Sequence, residues 1–272
     1  MREAQLLESL EEPKRRVLFG GKSMNPAFWH PLSHDRTIHD QCIVSAGTEP
    51  HYYEGLHSTR LHCAKYDPDS WQLFYYGYPD GCPTQQERMY AFKIYAMRRV
   101  ATAGFARMLW MDSAFQPIAP MHALWKEIND TGWYIQMQGD SVLGSWCSDA
   151  ALDVFGISRD TAMGIPLCYS GLVGLSMKRL EGKEIWRMWE ELYDAGTFDG
   201  PHTNVNGAPH TPHGHKTQGH CSTDPRCHGH RHDEAALSFI LWKMGLRPRC
   251  EPFLTLGSTD GFIGHHVRLL AH

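Results

Sequence analysis

After residue 40, short apolar segments alternate along the chain with longer segments in which apolar residues recur every three or four positions. Segment 85–103 shows the second pattern, because its apolar residues from Met89 to Ala103 fall on one face of a helix. Strands are predicted at 43–46, 71–77, 107–111, 132–137 and 250–256, with a glycine-interrupted strand pair or strand-turn at 166–176. Helices are predicted at 50–65, 85–103, 118–130, 148–157, 178–195 and 233–244.

This alternation of strands and helices predicts an α/β fold with a largely parallel sheet. We expect a single domain over 41–272, preceded by an N-terminal extension, 1–40, that is charged at first and then irregular. The segment 197–231 has almost no apolar periodicity and is rich in glycine, proline and histidine. A connection of this length inside a compact domain is either disordered or functional.

Composition restricts the location and the partners of the protein. The formal net charge of −4 provides no global basic field that would attract nucleic acid or an anionic membrane. Residues 1–16 lack the apolar core of a secretion signal, and no apolar run is long enough to span a bilayer. The 8 cysteines in 272 residues are too sparse for a disulfide scaffold, so we expect reduced thiols and a cytoplasmic protein.

One carboxylate stands where a ligand site is expected. The strand predicted at 107–111 runs directly into Asp112, and its residues from Met108 onward are apolar on both faces, as in the centre of a sheet. Ligands of open α/β sheets bind beyond the carboxyl ends of the strands. Asp112 is therefore a candidate ligand for a divalent cation that also bridges two phosphates. The alternative is that Asp112 caps the turn that follows it.

Two segments resemble one enzyme family. Segment 90–115, YAFKIYAMRRVATAGFARMLWMDSAF, resembles the middle of a GT-A glycosyltransferase, in which a helix with Phe-Lys and a later Arg precedes an apolar strand ending in Asp-x-Asp. Segment 228–241, HGHRHDEAALSFIL, is similar to the His-Asp-Glu box that opens a late helix in several retaining glycosyltransferases. The second Asp of the first motif is missing, since Ala114 stands in its place.

The resemblance implies a GT-A fold, which is a Rossmann-like, mostly parallel mixed sheet flanked by helices. It also implies that Asp233 and Glu234 contact the donor sugar beside the anomeric carbon as catalytic acids. Their alternative role is to favour the helix macrodipole from the first turn. In GT-A enzymes a late histidine often completes the metal site, and here His265 or His266 would join Asp112 in binding Mn²⁺ or Mg²⁺. The alternative is a pair of surface histidines.

When a sugar is transferred from a sugar nucleotide, the leaving group is a nucleoside diphosphate. Its developing negative charge needs a cation and nearby basic side chains. Lys93 is the first candidate to reach the phosphates, with Arg98 behind it, although both also fit a solvated helix face. Trp146 is a candidate stacking platform for a sugar, or a core residue. The complete donor-binding set is Ser45, Ala46 and Thr48, which end the first strand beside base and ribose, with Lys93, Arg98, Asp112, Ser113 and Trp146.

The segment 210–232 contains seven histidines and two cysteines with five residues between the cysteines. Cysteine and histidine are the ligands of tetrahedral zinc, so this segment is a candidate for one structural Zn²⁺ site. The candidate ligands are His220, Cys221, Cys227 and His228. The spacing matches no standard zinc finger or ribbon, and a mobile lid or adventitious metal binding fits the same composition.

The main functional hypothesis is a glycosyltransferase that moves a sugar from a nucleoside-diphosphate sugar, first of all a UDP-sugar, to a hydroxyl acceptor. The acceptor is a glycan, a protein, a small molecule or, less in keeping with the net charge of −4, a modified nucleic-acid base. The competing hypothesis is a catalytically silent GT-A-like domain or a zinc-dependent binding module. A nucleotidyltransferase would need an early glycine-rich phosphate loop, and SAGTEPHY at 45–52 matches one poorly.

Overall fold

A six-stranded sheet in the order β1–β3–β2–β4–β6–β5 forms the centre of the computed structural model, which describes residues 27–29, 40–202 and 220–250. The strands are β1 Ala27–Trp29, β2 Gln41–Gly47, β3 Trp71–Tyr76, β4 Arg107–Met111, β5 Trp133–Val142 and β6 Pro166–Ser176. The helices are α1 Tyr53–Tyr66, α2 Ala91–Thr102, α3 His122–Thr131, α4 Asp149–Phe155, α5 Arg159–Ala162, α6 Leu180–Asp194 and α7 His232–Lys243.

The sheet is mixed, with most strands pointing the same way. Strand β2 is parallel to both of its neighbours, β3 and β4. Strand β6 is antiparallel to β4 and to β5, so β5 again runs in the direction of β2. Strand β1 is antiparallel to β3 at the edge. The predicted α/β fold with a mostly parallel mixed sheet is therefore confirmed.

Helices cover both faces of the sheet, and successive residues of β2 belong to different cores. Val44 packs in the core that contains residues of α2, α6 and α7. Ile43 packs in the core that contains residues of α1 and α3. This alternation follows from the strand geometry, in which neighbouring side chains point to opposite faces. The carboxyl ends of β2 and β4 consequently lie side by side between two helical layers.

Three predicted elements differ from the structure. Helix α2 begins at Ala91 and not at residue 85, because the preceding Tyr90 has a left-handed backbone with φ of 55°. The second difference is at residues 27–29, which form a strand where an irregular lead-in was expected. The strand predicted at 250–256 is not compared, because it lies almost wholly outside the described residues. None of the described helices is long and apolar enough to cross a membrane.

The third difference concerns the glycines of β6, which form part of one continuous strand of 11 residues. A Cβ atom at Gly174 would lie 2.4 Å from the Ile128 side chain, and one at Gly171 would lie 2.6 Å from the ring of Phe115. The glycines therefore allow α3 and the segment after β4 to approach the sheet closely. The strand continues through them, although its register with β5 shifts between Tyr169 and Val173.

Candidate active site

A cleft of about 160 Å³ opens at the carboxyl ends of β2 and β4, where the topology of an α/β sheet places ligands. Strand β2 and the segment after it form one wall, and the residues that follow β4 form the other. The start of α2 closes the cleft from one side. The lining residues are Ala46, Thr48, Glu49, Tyr52, Gln85, Tyr90, Phe92, Asp112, Ser113 and Ala114.

Behind the cleft, a buried ammonium group joins three parts of the chain. The side chain of Lys93 on α2 is only 2% exposed, and its Nζ lies 2.8 Å from Asp233 Oδ2 at the start of α7. The same Nζ lies 3.3 Å from Asp112 Oδ1, at the end of β4. It also donates hydrogen bonds to the carbonyl and hydroxyl oxygens of Ser170 on β6, at 3.1 and 3.0 Å. We call Lys93, Asp112, Asp233 and Ser170 the Lys93 cluster.

Asp112 belongs both to this cluster and to the cleft. Its Oδ1 accepts a hydrogen bond of 2.7 Å from Trp110 Nε1 as well as facing Lys93. Its side chain is 34% exposed, in contrast to 2% for Asp233. Burial raises the pKa of Asp112, while the charge of Lys93 and the Trp110 hydrogen bond oppose that rise. Asp112 is therefore the one carboxylate of the cluster that a ligand in the cleft can reach directly.

Asp233 and Glu234 start α7 in chemically different surroundings. Asp233 is ion-paired with Lys93. Glu234 is buried, and its Oε2 has no hydrogen-bond partner among the described residues. Burial, and then the charge of Asp233, raises the pKa of Glu234 to about 8. Glu234 is thus protonated near neutral pH, whereas Asp233 is ion-paired. Two neighbouring acids in different protonation states can take separate roles, one donating a proton or hydrogen bond and the other stabilising charge.

The raised pKa of Glu234 makes stability depend on pH. Between the usual carboxyl range and about pH 8, the folded state holds a proton on Glu234 that the unfolded chain has lost, so stability falls as pH rises through this window. The slope is at most about 1.4 kcal/mol per pH unit for one proton. Urea unfolding at pH 6 and pH 9 should therefore show a smaller pH difference in Glu234→Gln than in the wild type. Glu54→Gln, on an exposed position of α1, is the control, and an unchanged slope in Glu234→Gln would contradict the assignment.

Several of the predicted donor-binding residues meet in the cleft, and the structure places others elsewhere. Ala46, Thr48, Asp112 and Ser113 all line it. Lys93 does not line it, because its ammonium group is enclosed by the Lys93 cluster. In this arrangement Lys93 holds the two carboxylates in place, and it is not the exposed cation that was expected to reach the phosphates.

Ser45 and Arg98 lie away from the cleft. Ser45 directly precedes Ala46 in β2, so its fully buried side chain points to the opposite face of the sheet. Arg98 lies on the side of α2 that faces α6, where its Nε donates to Glu190 at 2.7 Å. Arg98 lies five positions after Lys93 on the helix, so the two side chains point in different directions.

Trp146 does not line the cleft either. Its ring lies under the guanidinium group of Arg231, with 4.7 Å between the Arg231 Cζ and the ring centroid. The ring of His228 lies 5.6 Å away on a tilted plane. The backbone NH of Arg231 donates to the Trp146 carbonyl at 3.0 Å, so this pair ties the end of the His-rich segment to the loop after β5. Trp146 thus lies near the His-Asp-Glu box and packs partly against the core.

Five polar residues of the site were not predicted from the sequence. Glu49, Tyr52, Gln85 and Tyr90 line the cleft, and Ser170 binds Lys93 from β6. The first two follow β2 directly, so the rule that ligands bind beyond the carboxyl ends of strands could have found them. Gln85 and Tyr90 fell within the helix predicted at 85–103, which begins only at Ala91, and this wrong boundary concealed them.

The zinc set predicted from the His-rich segment is not assembled. Cys221 and Cys227 are buried, and their thiols donate to carbonyl oxygens, of Pro201 at 3.0 Å and of Gly229 at 3.4 Å. His220 and His228 are exposed. Over 27–29, 40–202 and 220–250, no group of three or more His, Cys, Asp or Glu side chains is arranged to hold a metal. His265 and His266 lie outside the described residues.

The cleft still offers a donor set that suits a hard cation. Asp112 and Glu49 supply carboxylates, and Thr48 and Ser113 bring hydroxyl groups to the same lining. Mg²⁺ is commonly bound by one or two carboxylates, with waters and substrate phosphates as the other ligands. Oxygen ligands of this kind fit Mg²⁺ or Mn²⁺ better than a thiolate-preferring metal. The residues present therefore fit a divalent cation that is completed by its substrate.

No protein family and no curated protein matches the sequence. Similar solved structures include the galactosyltransferase LgtC in complex with donor and acceptor sugar analogs, at 13% identity and a TM-score of 0.35, with 57% of this chain and 64% of that chain covered. They also include a glycosyltransferase involved in the glycosylation of the major capsid of PBCV-1, at 14% identity and a TM-score of 0.35 over 56% of this chain and 67% of that chain. Mouse xyloside xylosyltransferase 1 has 7% identity and a TM-score of 0.40 over 78% of this chain and 85% of that one.

These neighbours are glycosyltransferases, but the likeness is partial. The matched part of the chain spans only about 64% of the galactosyltransferase's length. At TM-scores of 0.35 to 0.40, the overlap does not establish an activity, so the function has to be inferred from the site itself.

Proposed function

We propose that the chain is a glycosyltransferase that moves a sugar from a nucleoside-diphosphate sugar to a hydroxyl acceptor, with the help of a divalent cation. The observation that carries the proposal is the Lys93 cluster. Its buried ammonium group links Asp112, at the edge of the cleft, to Asp233 and so to the neighbouring Glu234. A site for the diphosphate and a pair of acids for the sugar would thus be held at fixed separation by one side chain.

The charge of the cleft favours a metal-assisted reaction. Among its described lining residues, only Glu49 and Asp112 carry a formal charge, and both are acidic. The charge of Lys93 is already balanced by two carboxylates. This lining would repel a diphosphate unless a cation neutralises part of the charge. Mn²⁺ or Mg²⁺, held by Asp112 and the diphosphate oxygens, would supply that positive charge and stabilise the leaving group.

The remaining chemistry is assigned to the protein's own residues. During transfer, the bond between the anomeric carbon and the diphosphate breaks, and a bond to the acceptor oxygen forms while the acceptor proton passes to the departing diphosphate. Asp233 lies behind the cleft, paired with Lys93, so it would stabilise the positive charge that develops at the anomeric carbon through its electric field and not by direct contact. Glu234, protonated near neutral pH, would donate a hydrogen bond to a sugar hydroxyl. Retention of configuration is proposed from the His-Asp-Glu resemblance.

The same proposal extends to partners and location. We take a UDP-sugar as the first donor and a hydroxyl group on a glycan, a protein or a small molecule as the acceptor. A modified nucleic-acid base is the least favoured acceptor, given the net charge of −4. We also propose a cytoplasmic location, because 8 cysteines in 272 residues are too sparse for a disulfide scaffold.

The test is release of nucleoside diphosphate from a panel of sugar nucleotides, measured with Mn²⁺, with Mg²⁺ and with EDTA. We expect slow release from one donor through hydrolysis, loss of that release in EDTA, and its return when Mn²⁺ is added in excess. Donor-induced thermal stabilisation is measured in parallel. If no donor is cleaved and none stabilises the protein, the transferase proposal fails and a binding module becomes the better description. Equal release with and without EDTA would refute only the role of the metal and would leave the transferase proposal standing.

A further inference from the structure

Two residues of the candidate site have strained backbones, and they contact each other. Tyr90, with φ of 55°, and His232, with φ of 33°, are the only non-glycine residues with positive φ among those the structure describes. Their rings lie 5.6 Å apart. Tyr90 immediately precedes α2, which carries Lys93, and His232 starts α7, which carries Asp233 and Glu234. Such strain persists only where the surroundings enforce it, and it is concentrated at functional sites.

The surroundings of Tyr90 hold its backbone and its ring in place. The backbone NH donates to Gln85 Oε1 at 2.9 Å, and the backbone NH of Gln85 in turn donates to the hydroxyl of Tyr78 at 2.9 Å. The ring of Phe92 packs against the ring of Tyr90, with 6.1 Å between the ring centroids. The ammonium group of Lys93 lies 5.3 Å from the centroid of the Tyr90 ring, within the range of a cation–π contact.

This position separates the open cleft from the buried acids. Tyr90 lines the cleft, whereas Asp233 and Glu234 do not. The Tyr90 ring also contacts Lys93, which is paired with Asp233 behind the cleft. The charges of Asp233 and Glu234 add to burial in raising the pKa of Tyr90, so the phenol stays protonated beside the two acids. A donor with its diphosphate near Asp112 and its sugar near Glu234 must pass along this ring.

We propose that Tyr90 is the wall of the donor-sugar subsite and determines which sugar the enzyme accepts. The proposal rests on the transferase function above. The strained backbone places the ring between the diphosphate cleft and the acids, and the ring limits the space that remains for the sugar. With an ordinary right-handed or extended backbone at position 90, the side chain would point in another direction. The left-handed backbone is therefore needed to aim this bulky ring at its present position.

The test compares Tyr90→Gly and Tyr90→Phe in the full chain. Glycine adopts positive φ without strain, so the folded state should survive the loss of the ring, and Tyr90→Asn is a second variant that tolerates the same backbone. The readout is the ratio of kcat/KM for the preferred donor to kcat/KM for donors with the epimeric or a larger sugar. Tyr95→Gly on the same helix is the matched ring-loss control, since its ring contacts that of Tyr193 on another side of α2.

We expect the ratio to fall about 10-fold or more in Tyr90→Gly, because loss of a packed ring relaxes discrimination in a pocket. Tyr90→Phe should keep the ratio, and Tyr95→Gly should leave it unchanged even if the variant is less stable. A Tyr90→Gly enzyme that loses activity equally on all donors would show a merely structural role and overturn the inference. If the wild type itself neither binds nor cleaves any donor, the transferase function fails first, and the role of Tyr90 falls with it.

Discussion

Replacing Lys93 with methionine is expected to lower the free energy of unfolding by about 3–5 kcal/mol, the usual cost of removing one partner from a buried ion pair. The methionine fills the volume of the aliphatic stem but leaves Asp233 buried without its counter-charge. Ser170 also loses the donor to its hydroxyl and carbonyl oxygens. Urea unfolding, followed by tryptophan fluorescence, measures the change.

Two further variants separate this effect from a general cost of replacing lysine. Lys126→Met, on the exposed side of α3, should leave the free energy of unfolding nearly unchanged, because Lys126 pairs with Asp130 in solvent. Asp233→Asn in the Lys93→Met background should restore part of the lost stability, since it removes the uncompensated charge. A Lys93→Met protein as stable as the wild type would mean that the ammonium group is not enclosed as described.

Asp112→Asn is expected to reduce metal-dependent release of nucleoside diphosphate by about 100-fold or more, the scale on which loss of one charge-stabilising group acts. The variant keeps the shape of the side chain and an oxygen that can accept from Trp110 Nε1. It loses the only charge of the Lys93 cluster that faces the cleft. Initial rates over a range of Mn²⁺ concentrations measure the effect, and the Mn²⁺ concentration for half-maximal rate should rise.

The matched control for this prediction is Asp130→Asn, an exposed carboxylate at the end of α3, which should retain wild-type rates. Because the Asp112 side chain is 34% exposed, replacing its carboxylate with an amide should cost little stability. The thermal unfolding temperature of Asp112→Asn should therefore stay close to that of the wild type. Full metal-dependent activity in Asp112→Asn would remove Asp112 from the site and leave Glu49 as the candidate carboxylate of the cleft.

Most of the fold was predictable because it depends on local patterns. The strand at 107–111 agrees with β4 residue for residue, and the helix predicted from residue 148 begins at Asp149. Ser148 caps that helix by accepting from the backbone NH of Ala151 at 3.1 Å. Where prediction was wrong, local signals had more than one physical meaning. Glycines in β6 were interpreted as breaks, but they make room for Ile128 and Phe115 on neighbouring elements. The helical rhythm of 85–103 extended beyond the true start of α2, because periodicity does not register a left-handed residue such as Tyr90.

The candidate site, like the fold, was predictable from the sequence only where local patterns define it. The sequence by itself determined that Asp112 follows a central strand and that Asp233 and Glu234 open a late helix, because each inference needs only neighbouring residues. Only the tertiary structure decided that Lys93 joins these acids, since the contact connects residues that are 140 positions apart along the chain. It also decided which side chains face the cleft. Ala46 lines the cleft, whereas the adjacent Ser45 is buried on the other face, because the packing of helices on both sides of the sheet determines which surface stays open.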